Sequence, residues 1–224
     1  MPEPVVPGRA AGRVRRSVFW LVRIALGLLY TQFAWAYDLV AWLVSFGRWS
    51  DWQQTGLLVL PPGPVLELGH GPGHLLWRRL SQGQPSVGVD RSRQMGRIAL
   101  RRLRRDRLPA NVARAMAQAL PFAGESFQAV LATFPTEYIL DPLTLDEVRR
   151  VLRPGGILVI IAGVRIAPKS LPDRFLQGLY QLTGETPALP ATWAQPFEAQ
   201  GFRLQTEPVA APAAEVLRIV ATKP

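Results

Sequence analysis

From Val65 onward, short apolar runs alternate with amphipathic stretches, the pattern of strands and helices in turn. Val65 to Leu68 is apolar except for Glu67 and enters a loop with glycine at positions 69, 71 and 73. The periodicity predicts a helix from about Gly73 to Ser81, a strand ending at Asp90, and a helix reaching about Arg105. Asn111 to Ala115 and Gln128 to Thr133 read as strands, and Asp141-Pro142 opens a helix over Leu143 to Leu152. Gly156 to Ala162 is an Ile, Leu and Val run without alternation, so a strand buried on both faces is expected. Thr192 to Gln200 reads as a helix that Gly201 ends. Phe202 to Val209 and Glu215 to Thr222 are strands joined by a link too short for a crossover helix, hence an antiparallel hairpin.

The junction at Gly69-His70-Gly71-Pro72-Gly73 is where chemistry is expected. Side chains at these glycines would keep a ligand off the backbone, and the turn calls for φ > 0. Glycine also serves in turns that bind nothing, so the loop alone leaves a structural turn and a nucleotide cradle open. Asp90 adds a carboxylate at the end of the next strand, about 20 residues on, where a doubly wound sheet presents an acceptor to a ribose diol.

The spacing is Gly-x-Gly-x-Gly after Glu67, and it resembles the first motif of class I S-adenosylmethionine-dependent methyltransferases. Ala117-Gln118-Ala119-Leu120-Pro121-Phe122 with Glu125 to Val130, and Leu152-Arg153-Pro154-Gly155-Gly156-Ile157-Leu158, resemble two later segments of that superfamily. The likeness covers roughly Pro64 to Thr222. It implies an α/β, Rossmann-like doubly wound sheet of seven strands, six parallel and one antiparallel edge strand, behind an N-terminal helical extension. The expected division is an extension over residues 1–56 and a methyltransferase domain over 57–224, with an insertion at 165–190.

By the same resemblance the cofactor is S-adenosylmethionine. Gly69, Gly71 and Gly73 would admit its methionine portion, Glu67 would anchor the loop or reach the amino group, and Asp90 would hold the ribose. His70 and Arg91 fall beside these positions, and Met95 resembles the apolar residue that packs near adenine. Where relatives carry an acid for the adenine amino group this chain has Met116, which shifts recognition to backbone near Ala117 or to Gln118. Thr133 and Phe134 would line the pocket between donor and acceptor. Tyr37-Asp38 resembles a pair found in methyltransferases of quinones and related lipids, so that Tyr37 would touch the cofactor. No base is singled out: His70, Glu137 and Tyr138 are candidates, each with a surface or packing role as its alternative. Thr133-Phe134-Pro135-Thr136 replaces the Asn/Asp-Pro-Pro-aromatic motif of enzymes that methylate exocyclic amines of nucleic acids. A small-molecule or lipid-like acceptor is therefore expected. The competing readings are an RNA methyltransferase, a nicotinamide-dependent oxidoreductase, and a noncatalytic adaptor that keeps the fold.

Composition narrows this further. Without cysteine and with only two histidines, neither disulfides nor thiolate or histidine-rich metal centres are available, and no metal is expected. The net charge is +10, carried almost wholly by arginine, since Lys169 and Lys223 are the only lysines. Arg93, Arg97, Arg101 and Arg105 repeat every four residues within the arginine-rich stretch from Arg91 to Arg107, a stripe suited to acidic lipid or, second, to nucleic-acid phosphate. Basic residues also precede Ser17 to Phe46, whose uninterrupted apolar core from Ile24 to Tyr37 is shorter than the roughly 20 residues of a span. Trp20, Tyr30, Trp35, Tyr37, Trp42 and Trp49 suit either a membrane interface or a lid over the acceptor. Peripheral attachment to the inner face of the cell membrane, from the cytoplasm, is the expectation; the oligomeric state is left open.

Overall fold

The computed structural model describes Ser45, residues 47–166 and residues 193–224. The expectations placed on Tyr37, and on the apolar N-terminal stretch apart from its last residues, lie outside that range, as does most of the 165–190 insertion.

The apolar run β1 (Val65–Leu68) is buried at every position because strands flank it on both sides. To one side lie β2 (Ser86–Val89) and the two-residue β3 (Val112–Ala113); to the other lie β4 (Phe127–Thr133) and β5 (Leu152–Ile166). The hairpin of β6 (Arg203–Ala211) and β7 (Ala214–Thr222) completes seven strands in the order β3-β2-β1-β4-β5-β7-β6. Six strands are parallel and β7 runs against them. The reversed strand sits one place in from the edge: β7 folds back on β6 through Pro212-Ala213 and pairs with β5, which leaves β6 outermost.

Helices α2 (His74–Ser81), α3 (Arg93–Arg105) and α4 (Pro142–Val151) follow β1, β2 and β4. Ser92 caps α3 by accepting from the Met95 N–H, and Asp141 caps α4 by accepting from the Leu143 N–H. Before β1 lie α1 (Trp49–Gln54) and a 3-10 turn, Thr55–Val59. After β5 the next described helix is α5 (Gln195–Ala199), shorter than the expected 192–200 because Pro196 fits only in a first turn.

β5 also departs from expectation. It runs to Ile166, since β7 pairs with it as far as Ala214, so Arg165 and Ile166 belong to the sheet and not to the insertion. The 56/57 boundary falls within packed structure. Trp52 is fully buried, the buried Arg218 donates to the Thr55 carbonyl at 2.8 Å, and a Cβ on Gly56 would meet Leu131 Cδ1 at 2.9 Å. Residues 49–59 are therefore part of the face that covers the sheet.

Candidate active site

In the order β3-β2-β1-β4-β5 the chain runs outward in one direction from β1 and in the other from β4. The crevice beyond the C-terminal ends of those two strands is where such sheets bind ligands.

The β1 side is made of main chain. Gly69, Gly71 and Gly73 have φ of +66°, +52° and +77°, the left-handed region the sequence called for. The reasons differ among them. A Cβ on Gly73 would lie 2.8 Å from Ala99 Cβ, so this glycine lets α3 close on the loop. One on Gly69 would lie 3.1 Å from the Tyr138 hydroxyl, and one on Gly71 would meet nothing within 4 Å. Gly69 N–H donates to the Val89 carbonyl at 2.7 Å, tying the loop to β2. The Gly71 N–H donates to Asp90 Oδ2 at 3.0 Å and the Ser92 N–H to Asp90 Oδ1 at 2.7 Å. Asp90 is buried, and a carboxylate has about four lone-pair sites, so these two bonds leave capacity for a diol. Arg102 holds the loop from outside by donating to the Pro72 carbonyl at 2.6 Å.

Glu67 lies under this loop, 5% exposed. Burial pushes its carboxyl up to about 8 from the ordinary 4.5, opposed by the Leu76 N–H and by Arg79 and aided by Asp90. Below that value the carboxyl is mostly protonated. His70 is also buried. Its Nδ1 lies 2.7 Å from the Gly71 carbonyl, which makes Nδ1–H the donor, and its Nε2 has no partner among the described residues. Burial lowers its pKa, with Asp90 opposing, so the ring is neutral. It fills the space that Gly88 leaves: a Cβ there would meet His70 Cδ2 at 2.9 Å. His70 packs the loop and does not present itself to the crevice as a base.

The adenine end departs furthest from expectation. A cavity of about 550 Å³ opens beside Asp90, lined by Arg91, Ser92, Arg93, Gln94, Arg114, Ala115 and Met116. Arg91 and Met116 both line it. Met95 is fully buried beneath α3 and takes no part in the lining, because it faces the core side of the helix. The Gln118 amide donates to Asp141 Oδ2 at 2.8 Å, which turns it toward the cap of α4. Ala117 sits in the turn closed by the Ala119 N–H and the Met116 carbonyl. Missed in the sequence was Arg114, whose Nε donates to the Arg91 carbonyl at 3.0 Å and joins the two walls of the cavity.

The β4 side is made of side chains. Thr133 Oγ1 accepts from Gln53 Nε2 at 3.1 Å, so α1 is fastened to the end of β4. Phe134 follows with φ +48°, uncommon for a bulky residue. Its ring lies 4.3 Å from that of Trp49, centroid to centroid, and Trp49 meets Trp52 edge-on. Of the N-terminal aromatics assigned to a membrane interface or a lid, Trp49 is within the described residues, and it packs on the domain. Past Phe134 the chain arches over the glycine loop, bringing the Tyr138 hydroxyl against Gly69. Glu137, one residue earlier, is exposed. The Trp49, Trp52, Gln53 spacing of three and four residues was the signal that could have shown this wall.

The site fits S-adenosylmethionine at its ribose and methionine ends and is unusual at the adenine end. A family profile described as methyltransferase domain matches residues 65–156. The chain is 34% identical over 139 residues to the demethylmenaquinone methyltransferase of Thermus thermophilus, which covers 59% of this chain and 63% of that protein. It is 32% identical over 144 residues to the ubiquinone/menaquinone biosynthesis C-methyltransferase UbiE of Syntrophotalea carbinolica, 59% of each. The chain thus spans less than two thirds of the length of either relative. Among solved structures, phosphoethanolamine N-methyltransferase 2 of Haemonchus contortus, with phosphomonomethylethanolamine and S-adenosylhomocysteine bound, superposes with a TM-score of 0.63. It is 18% identical, over 88% of this chain and 59% of that one, a likeness of fold alone. The sheet order, the left-handed glycine loop with its Asp90 tether, and the match across that same segment agree: residues 65–156 are similar to the methyltransferase domain family, and the sheet has the fold of S-adenosylmethionine-dependent methyltransferases.

Proposed function

We propose that the protein transfers a methyl group from S-adenosylmethionine to a ring carbon of a reduced quinone-type acceptor. The observation that carries this reading is the contrast across one crevice: a polar, backbone-lined cradle at Asp90 faces an aromatic wall of Trp49 and Phe134. The names of the two bacterial relatives supply the acceptor class.

The donor supplies a methyl carried on a sulfonium, whose sulfur leaves as a neutral thioether. The residues have little bond-making to do, and their contribution is alignment and exclusion of water. Asp90 would accept from both ribose hydroxyls while keeping the loop closed through Gly71. Glu67 would ionise against the donor's ammonium group. A phenolic acceptor gives up its hydroxyl proton to water as its ring carbon forms the new carbon–carbon bond; water then takes the displaced ring proton and returns one to the oxygen, which restores the quinol with a net release of one proton. Of the three titratable candidates, Tyr138 alone lies over Gly69, so it would hold the acceptor hydroxyl; Glu137 is turned to solvent and His70 is enclosed. The test is direct: with methyl-labelled donor and demethylmenaquinol kept reduced by dithionite, label should appear on the ring. Binding of donor without transfer to this or any other quinol would refute the reading.

The exposed Arg93, Arg97, Arg101 and Arg105 support a location at an anionic membrane, where a lipid quinone resides. Flotation with phosphatidylglycerol vesicles should carry the full chain upward and should weaken when Arg97 and Arg101 become glutamine.

A further inference from the structure

The indole N–H of Trp49 is buried and has no hydrogen-bond partner among the described residues. Leaving such a donor unmade costs as much as a lost hydrogen bond, so its persistence calls for an explanation. Trp49 is not loosely placed. Its own backbone N–H donates to Ser45 Oγ at 3.0 Å, and its ring is held between Phe134 and Trp52. Gln53, four residues on, locks the same helix to Thr133 at the last position of β4.

The backbone opposite is strained in the same place. Phe134 adopts φ +48° immediately after β4, a left-handed conformation disfavoured for a residue with a Cβ. It keeps that conformation with its own N–H bonded to the Ile161 carbonyl at 2.8 Å and its ring turned onto Trp49. Strain of this kind in a crevice wall is a mark of a ligand clamp. The next turn of chain carries the Tyr138 hydroxyl to the glycine loop, so the wall borders the place where a methyl group would leave the donor.

We infer that Trp49 recognises the acceptor, donating its Nε1–H to a ring oxygen while Phe134 packs the ring's apolar face. This rests on the proposed function and adds to it a residue that selects an oxygen-bearing aromatic acceptor. The two aromatic rings exclude water and give apolar contact, and the indole N–H is the polar group of this pair that tells an oxygenated ring from a hydrocarbon of equal size. A donor hydrogen bond to a phenolate is stronger than one to a neutral oxygen, so the contact grows as the acceptor loses its proton.

The experiment uses the full chain with a short-tailed demethylmenaquinol held reduced. Trp49→Phe keeps a ring against Phe134 and removes only the N–H. Expected are a rise in KM for the quinol of about tenfold, the size of a lost hydrogen bond, and a donor Kd unchanged within about twofold. In nitrogen-labelled wild type, the indole resonance absent from the Trp49→Phe spectrum should move downfield when quinol is added. Should the variant fail to fold, the resonance is assigned in the wild type by its through-space contacts to the Phe134 ring, and its shift on adding quinol decides the matter. Unchanged KM in the variant, or an indole resonance indifferent to quinol, overturns the role of Trp49 while leaving the proposed function standing. Failure of the wild type to bind or methylate the quinol overturns both.

Discussion

The two walls of the crevice are built by different means. The wall beyond β1 is main chain: three glycines in the left-handed region, with loop N–H groups bonded to Val89 and Asp90. The wall beyond β4 is side chain: Trp49, Gln53, Thr133 and Phe134, brought together from separate parts of the sequence. Backbone recognises what every donor molecule shares, and side chains can be exchanged to suit an acceptor. If this division holds, substitutions on the first wall change donor binding, and those on the second change acceptor binding.

Asp90 offers the largest separation. Asp90→Ala removes the acceptor of the Gly71 and Ser92 N–H groups together with the proposed ribose contact. Charge-assisted bonds of this kind are worth roughly 1.5–3 kcal/mol each, so calorimetry should show a loss in donor affinity of about 100-fold. Quinol binding, followed by tryptophan quenching, should change little. Equal losses on both sides would break the division.

The glycines sharpen it. Gly73→Ala places a Cβ 2.8 Å from Ala99 at φ +77°, which should cost about 3 kcal/mol and lower Tm by roughly 10 °C. Gly71→Ala meets nothing within 4 Å, so only its left-handed φ is penalised, by about 1 kcal/mol. Thermal melts should therefore rank Gly73→Ala well below Gly71→Ala. Yet Gly71, being open, is the glycine whose new methyl would reach a ligand, and donor titration should detect it.

Glu67 makes the first wall sensitive to pH. Its folded pKa of about 8 exceeds the ordinary 4.5, so the unfolded chain holds fewer protons than the native one between these values. Stability from this group is complete below about pH 4.5 and is lost as pH rises through about 8. Donor binding should run the other way, because a cation favours ionised Glu67. Affinity should climb by up to about tenfold per pH unit toward pH 8, with release of a proton visible as a buffer-dependent enthalpy. Glu67→Gln should flatten both profiles. A wild type that binds donor without proton release would remove Glu67 from the site.

The same contrast explains what could be read from the sequence. Gly69, Gly71, Gly73 and Asp90 lie within one strand–helix–strand unit, where spacing fixes geometry: the three glycines have the positive φ that the turn called for, whereas the bonds from the Gly71 and Ser92 N–H groups to Asp90 appear only in the structure. The six parallel strands and one reversed strand were implied by the resemblance and by the hairpin of β6 and β7, whereas the place of the reversed strand inside the edge appears only in the structure. Local pattern could not say which face of α3 Met95 occupies relative to the cavity, nor that Gln118 turns to Asp141, because partners from α4 and the core decide both. Trp49 and Phe134 are 85 residues apart in sequence, and no local periodicity joins them. Gly88 and His70 show the same limit, since the glycine is explained only by the ring that fills its place.

Arg102 provides the finest test, because sequence assigned it to the basic stretch and structure assigns it to the loop. The stripe residues Arg97 and Arg101 are exposed, whereas Arg102 is half-buried and donates to Pro72 between Gly71 and Gly73. Arg102→Met keeps the apolar stem that packs against the loop and removes the donor. One such bond contributes about 1 kcal/mol, so donor affinity should fall about fivefold, with flotation on anionic vesicles nearly unchanged. Arg97→Gln should do the reverse: donor affinity constant, vesicle binding reduced by roughly the contribution of one surface arginine, about 1 kcal/mol. Two neighbouring arginines on one helix would then be separated by their opposite effects, one belonging to the cradle and the other to the outer surface. If Arg102→Met lost vesicle binding and kept its donor affinity, the Pro72 bond would have no part in shaping the loop, and the backbone wall would be held by Asp90 and Val89 alone.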